Sequence, residues 1–293
     1  MPELPEVETV RIQLEDFLVG HTIENVEVKH QKIFEGNSKI IIGAKIKDVR
    51  RFAKVLCIDL SNKYSIVIHI KLTGQLIYRG KNLKKPPKLS KKISGGVPGP
   101  HTHIIFELDR DSTLFYNDIR RFGWIRVMKT SEVEKTGFVS KLGPEPMVTE
   151  SAKKNPLTLS HFKEILGKTR RSIKVVIMDQ AKISGVGNIY ANDALWLSGI
   201  DPKRTANSLS SKEAKILYDA IETVLKMGLK NGGASELAFV TPDGSEGSYQ
   251  KHFLIYGQGG RVCTKPACSK KGIKIAKISI GGRGTYLCKN CQK

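Results

Sequence analysis

The chain has 293 residues, of which 40% are hydrophobic, and it carries 49 Lys and Arg against 28 Asp and Glu, a formal net charge of +21. The apolar content suffices for two or three folded domains and excludes a disordered protein, while the positive charge predicts a polyanionic partner, with nucleic acid first. No run reaches the ~20 apolar residues of a membrane-spanning helix. The acidic first ten residues do not fit a signal peptide, so we expect a cytosolic protein that binds no membrane.

The first predicted element is a helix inside the opening sequence MPELPEVETV. Apolar residues recur at helical spacing from Leu4 to Phe17, Pro5 is tolerated in a first turn, and Gly20 is placed to end the helix. A proline and three glutamates crowd the start of this helix. Because a free chain end is usually frayed and chemically inert, this crowding indicates a function beyond folding.

Strands are predicted from Thr22 to about Met128, where β-branched residues alternate with polar ones in stretches such as KVLCIDL and YSIVIHIKL. The pattern predicts a sandwich or barrel, in which the lone Cys57 is a buried small hydrophobic residue. The stretch GKNLKKPPKLSKKISGGVPGPH interrupts the strands. Its Lys, Gly, Pro and Ser content predicts a mobile, solvated basic insertion.

The motif YNDIRRFGW closes the strand region and places Arg120, Arg121 and Phe122 in succession. Arginines can hold phosphates or a base edge, and the aromatic ring can wedge between stacked bases. Taken alone, the motif is more typical of a core phenylalanine beside two solvated arginines.

Helices dominate after KLGPEPMVTESAKKNPLT, whose three prolines predict an interdomain linker, and amphipathic stretches then continue to about Asn231. In ISGVGNIY, Gly185 and Gly187 surround a tight turn before Asn188. Backbone N–H groups and the Asn188 side chain could face a phosphate oxygen there. A glycine turn between helices is by itself more often a simple connection.

Four of the five cysteines form two close pairs near the end of the chain, Cys263 with Cys268 and Cys288 with Cys291. This spacing predicts one tetrahedral, structural Zn²⁺ site with no open coordination position. Metal binding is favoured over disulfides in a reducing cytosol.

Four sequence blocks, in one order over nearly the whole chain, resemble the formamidopyrimidine-DNA glycosylase family: PELPEVETV, YNDIRRFG, DQAKISGVGNIYANDALWLSGIDP and the cysteine ribbon. The resemblance implies an α+β multidomain fold with an N-terminal helix plus β-sandwich, a helical helix-two-turn-helix domain and a C-terminal β-hairpin zinc finger. The endonuclease VIII type shares this architecture, but PELPE followed by VETV is more similar to the formamidopyrimidine branch. The implied domains are 1–132 (catalytic β-sandwich), 133–156 (linker), 157–240 (helix-two-turn-helix DNA-binding domain) and 241–293 (lesion loop and zinc finger).

The function implied by this resemblance is base-excision repair. A member of the family binds double-stranded damaged DNA as a monomer, removes oxidised purines such as 8-oxoguanine and formamidopyrimidines, and cleaves the abasic site by β,δ-elimination. We therefore expect a cytoplasmic, nucleoid-associated enzyme with one structural zinc.

The crowded chain end also has an explanation in the resemblance, because family members lose the initiator methionine and use the nitrogen of Pro2 as the nucleophile. An α-amino group titrates near ~8 against ~10.4 for lysine, so it is available at neutral pH. The resulting charged iminium is an electron sink for the elimination steps. By the same resemblance Glu3 is the general acid and base and Glu6 supports the amine and the sugar. Ordinary helix-start acidity remains the alternative for Glu6.

The remaining site residues are carried over by position. Lys54 and Arg283 complete the predicted catalytic set and contact phosphates, together with His69 and Asn188. The side chains of Leu72, Arg120 and Phe122 are expected to fill the space left by the flipped nucleotide. The full predicted DNA-binding set is His69, Leu72, His101, Arg120, Arg121, Phe122 and Asn188.

The chain departs from the family pattern at three places. Leu72 in HIKLTG replaces a methionine of HLGMTG, Leu237 and Ala238 in GGASELAF replace polar residues of GGTTLKDF, and Asp193 stands where glutamate is common. The lyase chemistry is therefore predicted, whereas the preferred lesion is left open. A zinc-containing damaged-DNA-binding protein without catalysis is the alternative function, and an RNA-binding zinc protein has no supporting feature beyond charge.

Overall fold

The structure is a computed structural model, and it describes residues 1–83, 87–147, 149 and 155–293. Residues 84–86 of the predicted basic insertion, and 148 and 150–154 of the predicted linker, lie outside the described residues. The chain forms two compact units, which are described separately. The N-terminal unit comprises Met1–Ser140 and Gly228–Gln250, and the C-terminal unit comprises Lys141–Met227 and Lys251–Lys293. The bounds of the four predicted segments remain a prediction.

The N-terminal unit begins with helix α1 (Leu4–Leu18). The helix starts where the sequence predicts, with Glu3 as the extended residue before it and Pro5 in its first turn. Its apolar face is buried at every turn, from Val7 to Leu18. Gly20, with φ +91, follows the helix in the left-handed region that favours glycine.

The strands that follow α1 are β1 (Ile23–Val28), β2 (Phe34–Glu35), β3 (Ile46–Phe52), β4 (Val55–Leu60), β5 (Tyr64–His69), β6 (Gly74–Arg79), β7 (Thr102–Leu108), β8 (Ser112–Asp118) and β9 (Trp124–Lys129). They form two sheets in the N-terminal unit. One has the order β1-β7-β8-β6, and the other has the order β2-β9-β5-β4-β3. All neighbouring strands are antiparallel except β2 and β9. Side chains of α1 and of both sheets share one apolar core, so the predicted sandwich is confirmed.

Part of the predicted basic insertion packs against the sheet, while Lys88 and Lys91 in the same segment are exposed. Ile93 is 6% exposed and lies in an apolar cluster with Ile77 and Val240, against which Leu89 also packs. The expectation of a solvated insertion is therefore wrong for Leu89 and Ile93, which cover apolar surface of the sheet that would otherwise face water, and it agrees with the exposure of Lys88 and Lys91.

The C-terminal unit is helical and ends in a two-stranded hairpin. Helices α2 (Leu159–Gly167), α3 (Ile173–Ile177) and α4 (Asn188–Ser198) precede the long amphipathic helix α5 (Ser211–Lys230). Ser210 and Glu213 begin α5 with reciprocal capping bonds, since each backbone N–H donates to the other side chain. After α5 come a four-residue helix, α6 (Pro266–Ser269), and the hairpin of β10 (Ala276–Ile280) and β11 (Arg283–Leu287). Among the described helices, none combines the length and the apolar character needed to cross a membrane.

Candidate active site

The start of α1 is organised by the carboxylate of Glu6, which is 1% exposed. Its Oε2 accepts the backbone N–H of Glu3 at 2.7 Å, and its Oε1 accepts the backbone N–H of Ala234 at 2.7 Å. Gly233 adopts φ +80, and a Cβ at this position would lie 2.8 Å from Glu6 Cγ. Glu6 therefore does more than face the helix dipole, because it joins the N-terminal segment to the chain at residue 234. Pro2 and Glu3 are both buried at this point.

Lys54 lies in the tight turn between β3 and β4 and is 6% exposed. The preceding residue, Ala53, has φ +50, and its carbonyl accepts a hydrogen bond from Arg51 Nη1 at 2.8 Å. Arg51 also donates from Nε to Glu8 Oε2 on α1 at 2.6 Å, and Arg11 Nε donates to the other Glu8 oxygen at 2.9 Å. A fully buried ion pair thus connects the turn that carries Lys54 to the helix that follows Pro2 and Glu3.

His69, at the end of β5, is held in its neutral form. Burial, and then the positive charges of Lys71 and Lys54, lower the pKa of His69 to about 3. Its Nδ1 lies 3.2 Å from the backbone N–H of Lys71 and accepts from it, so the single ring proton of the neutral form is on Nε2. His69 can therefore act as a neutral hydrogen-bond donor at physiological pH.

Asp118, at the end of β8, holds the turns that carry the predicted wedge residues. The carboxylate is fully buried and accepts the Thr73 hydroxyl, the backbone N–H of Arg120 at 3.2 Å and the backbone N–H of Gly123 at 2.8 Å. Thr73 directly follows Leu72, so one carboxylate fixes both the Leu72 turn and the turn of residues 119–122.

The side chains on these turns are available for contact. Phe122 is 52% exposed, and the Arg120 guanidinium carbon lies 4.5 Å from the centre of its ring. The interpretation of Phe122 as a core residue is therefore wrong, because the turn held by Asp118 projects it from the sheet. Arg121 is exposed with φ +56, and Leu72 and His101 are half-buried.

In the C-terminal unit, the glycine turn before α4 is held by Gln180. Its Nε2 donates to the carbonyls of Met178 at 2.9 Å and Val186 at 2.8 Å, and its Oε1 accepts the N–H of Gly185 at 3.0 Å. Gly185 has φ +90, which only glycine adopts readily. Asn188 is the first residue of α4, so its side chain lies at the N-terminus of that helix.

The hairpin that carries Arg283 is tied to the helices beside Asn188. Asn192 on α4 donates to the Asn188 carbonyl at 2.7 Å and accepts the N–H of Tyr286 at 2.8 Å. The buried ammonium of Lys174 on α3 donates to the Thr285 hydroxyl at 2.7 Å, and also to the carbonyl of the residue before it. Arg283 is exposed at the start of β11, so this unit presents a cation and an amide from two connected elements.

Asp193, the short replacement for glutamate, has a structural position on α4. It is fully buried, and its carboxylate accepts the backbone N–H groups of Leu254, Ile255 and Tyr256 at 3.0–3.2 Å. Three such donors account for a carboxylate at this buried position.

The four clustered cysteines fit a zinc ion. Their sulfur atoms all lie within 4.8 Å of one another, with 3.9 Å between Cys263 and Cys291 and 3.6 Å between Cys268 and Cys288. A tetrahedral zinc–thiolate site with bonds of about 2.3 Å places its sulfurs about 3.8 Å apart. Asn290 donates to Cys268 at 3.1 Å, and this bond lowers the pKa of the Cys268 thiol. The site is closed and structural, as the spacing predicts.

Cys57 lies apart from this cluster in the N-terminal unit and is fully buried, in agreement with its interpretation as a core residue. Burial, and then the neighbouring carboxylate of Asp59, raise the pKa of the Cys57 thiol to about 12.

Comparison with known proteins matches three family models along the chain. They are the formamidopyrimidine-DNA glycosylase N-terminal domain over residues 1–125, the H2TH domain of the same enzymes over 142–239, and a zinc finger found in FPG and IleRS over 272–293. A formamidopyrimidine-DNA glycosylase of Rickettsia conorii is 38% identical over 100% of this chain and 99% of its own length. The chain belongs to the formamidopyrimidine-DNA glycosylase family.

Solved structures of formamidopyrimidine-DNA glycosylases share the fold. The Lactococcus lactis enzyme in complex with DNA containing N7-benzyl-Fapy-dG aligns over 100% of both chains with a TM-score of 0.82 and 30% identity. The Thermus thermophilus protein aligns over 99% of this chain and 98% of its own with a TM-score of 0.82 and 32% identity. The predicted fold class is therefore confirmed.

Several residues that position the site are not predicted from the sequence. Glu8 and Arg51 are 43 positions apart, and Asp118 and Thr73 are 45 positions apart, so no local spacing connects them. Gln180 lies in the sequence DQAKISGVGNIY, five residues before Gly185. This short separation is the one signal from which its hydrogen bonds to the glycine turn could have been predicted. The functional roles of the predicted formamidopyrimidine-DNA glycosylase site residues remain predictions.

Proposed function

We propose that this chain removes oxidised purines from double-stranded DNA through the nitrogen of Pro2 and then cleaves the abasic site. The observation that carries the proposal is the buried arrangement at the chain end, where Glu6 holds the backbone of Glu3 and of Ala234. Membership of the formamidopyrimidine-DNA glycosylase family, whose relatives have been solved with damaged DNA, supports the same chemistry.

The nucleophile requires removal of Met1. While Met1 is attached, the Pro2 nitrogen is an amide and cannot attack carbon. Once freed, the secondary amine forms a bond to the sugar C1′ as the bond from C1′ to the base breaks, and the proton that the amine nitrogen gives up leaves with the base. Glu3 donates a proton to the ring oxygen as the sugar opens, which leaves a cationic iminium between Pro2 and C1′.

Strand cleavage follows from the charge of this iminium. It acidifies the proton on C2′, whose removal expels the 3′ phosphate by β-elimination, and a second loss of a proton expels the 5′ phosphate by δ-elimination. Glu3, ionised by its earlier proton transfer, is the proposed group that accepts and returns these protons. Glu6 acts as a positioning residue, because both of its oxygens are occupied by backbone donors.

The DNA backbone is held by donors of three kinds. Lys54 and Arg283 supply positive charge, His69 supplies a neutral N–H, and Asn188 supplies an amide at a helix start. We assign Leu72, Arg120 and Phe122 to the space left by the flipped nucleotide, since Phe122 projects from its turn with Arg120 against its ring. His101 and Arg121 are the remaining proposed DNA-binding residues. Zinc, bound by the four cysteines, stabilises the hairpin that carries Arg283 and takes no part in the reaction.

Trapping with borohydride tests the proposal. Protein whose N terminus is verified by mass to begin at Pro2 is incubated with an abasic-site duplex and borohydride, which reduces an iminium to a stable amine. We expect a covalent protein–DNA adduct, and none when Met1 is retained. Binding of the duplex without an adduct by protein that begins at Pro2 would favour the alternative of a zinc-containing, damaged-DNA-binding protein without catalysis. A monomeric state and a cytoplasmic, nucleoid-associated location remain predictions.

A further inference from the structure

The basic arm, residues 87–100 of the insertion, contacts a loop that starts at Glu6. This loop, here the Glu6 loop, comprises residues 233–246 and begins where the Ala234 N–H donates to Glu6. Lys92 Nζ donates to the Ser235 carbonyl at 2.6 Å and to Glu246 Oε2 at 2.6 Å. One ammonium group therefore bonds to both ends of the Glu6 loop, and the Ser90 hydroxyl donates to the second Glu246 oxygen.

Two further contacts make this connection specific. The Gln75 side chain of β6 donates to the Lys92 carbonyl at 3.0 Å and to the Ala238 carbonyl at 2.6 Å, so it bonds to the arm and the loop at once. Ile93 packs in the apolar cluster that contains Val240 of the loop. A run of lysines that was merely solvated would show neither contact.

The loop presents one apolar side chain at its tip. Leu237 is 68% exposed and has φ +53, a region that leucine rarely occupies. The neighbouring Ser235 and Ala238 carbonyls are the acceptors for Lys92 and Gln75. Backbone in a sparsely populated region persists when its surroundings fix it, and here the two carbonyl contacts do so.

We propose that Lys92 is a positioning residue that holds the Glu6 loop, with Leu237 at its tip, against the base extruded from DNA. The inference rests on the proposed function, because it takes the reacting C1′ to lie at Pro2, next to the Glu3 backbone that Glu6 holds. Because Glu6 accepts both the Glu3 N–H and the Ala234 N–H, a purine attached to that carbon would lie near the start of the loop. An exposed leucine offers an apolar contact for the flat face of a purine.

The two reactions of the enzyme should depend differently on this arrangement. Release of a damaged base requires the base to be held in place. A loop that is already fixed before the base binds loses less conformational entropy on binding. An abasic site has no base for Leu237 to contact. Lys92 should therefore govern base release and leave abasic-site cleavage nearly unchanged.

The chain offers a matched control in Lys91, which is exposed and adjacent to Lys92. Lys92→Met and Lys91→Met remove the same charge from neighbouring positions, so any general weakening of DNA binding affects both variants. Lys92→Arg retains a cation that can reach the same two acceptors. Thermal unfolding of each variant establishes that it is folded.

The experiment measures single-turnover release of 8-oxoguanine and, separately, cleavage and borohydride trapping of a preformed abasic duplex. We expect Lys92→Met to slow base release about tenfold or more, because small displacements of positioned groups have effects of this size. Abasic-site cleavage should stay within about twofold of wild type for both lysine variants, and Lys92→Arg should restore most of the base release.

Three results would overturn the inference. The first is a rate of base release by Lys92→Met equal to that of wild type. The second is an equal loss of base release in Lys91→Met and Lys92→Met. The third is a parallel loss of base release and abasic-site cleavage in folded Lys92→Met. Failure of the wild type to form an adduct with the abasic duplex is a different result, which would overturn the proposed function and this inference together.

Discussion

The two ends of the chain hold their chemical groups by different means. At the start, Glu6 is held by two backbone N–H groups of the protein itself, one of them 228 positions away. At the end, four thiols lie within 4.8 Å of one another and need a cation to become a stable group of thiolates. The N-terminal arrangement is therefore built by folding of its unit, whereas the C-terminal one is completed by metal.

The two arrangements should therefore respond differently to mutation and to loss of metal. A group fixed by long-range backbone bonds depends on the packing of the whole unit around it. A group fixed by metal depends on a few ligands and on the supply of zinc. Perturbing each in turn tests the contrast.

Removing a zinc ligand should have the largest effect. Cys268→Ala or a strong chelator should unfold the segment from Cys263 to Cys291, since zinc contributes about 10–16 kcal/mol to folding of zinc-finger peptides. Zinc content and hydrogen exchange by mass spectrometry measure the change. We expect protection to be lost in the finger and kept in strands β4 and β5.

Cys57→Ala is the matched control for the loss of a thiol, because Cys57 lies in the N-terminal unit. This variant should retain one zinc per chain. A full zinc content in Cys268→Ala would show that metal does not complete the site.

Breaking the buried ion pair of the N-terminal unit should have the next largest effect. In Glu8→Gln the Arg51 guanidinium, whose side chain is 0% exposed, loses a carboxylate at 2.6 Å, and removal of one partner of a buried pair typically costs about 3–5 kcal/mol. The free energy of unfolding in urea measures this loss. Borohydride trapping should weaken too, because the same pair orients the turn of Lys54 relative to α1.

The control is Glu15→Gln, which removes the other carboxylate bonded to Arg11. The Glu15 side chain is 44% exposed, so we expect a loss of at most about 1 kcal/mol. Equal losses for the two variants would contradict the view that the N-terminal site depends on buried packing.

The smallest expected effect is the pH response of His69. Its pKa is about 3 in the folded protein against an ordinary value of 6.5. As pH falls below 6.5 the unfolded chain binds this proton first, so the stability contributed by neutral His69 is complete above pH 6.5 and is lost progressively towards pH 3.

Urea unfolding of wild type and His69→Gln between pH 7.5 and 4 measures this response. We expect the free energy of unfolding of wild type to fall relative to that of the variant as pH falls. The His69 ring resonances in NMR should stay constant between pH 8 and 5. A ring that titrates near 6.5 would contradict a neutral donor at this position.

Local patterns in the sequence predicted the parts of the molecule that local interactions build. The spacing of Cys263, Cys268, Cys288 and Cys291 sufficed for the zinc site, and apolar periodicity sufficed for α1 and the sandwich. The resemblance supplied the residues at the chain end. Its family model spans residues 1–125.

The parts that sequence did not predict depend on contacts between distant residues. Glu8 with Arg51, and Asp118 with Thr73, join different elements and leave no spacing signal. Composition did not predict the packed part of the basic arm, because many lysines, glycines and prolines obscure two apolar residues four positions apart, Leu89 and Ile93. One of them, Ile93, is buried against the sheet.

The state of Cys57 has a practical consequence for an enzyme that meets oxidants along with oxidised DNA. A thiol with a pKa of about 12 carries almost no thiolate at neutral pH, and thiolate is the form that peroxides and alkylating reagents attack. The other four cysteines are committed to zinc. Uptake of iodoacetamide by the native protein would therefore report loss of its metal, which makes alkylation a simple assay of intact enzyme.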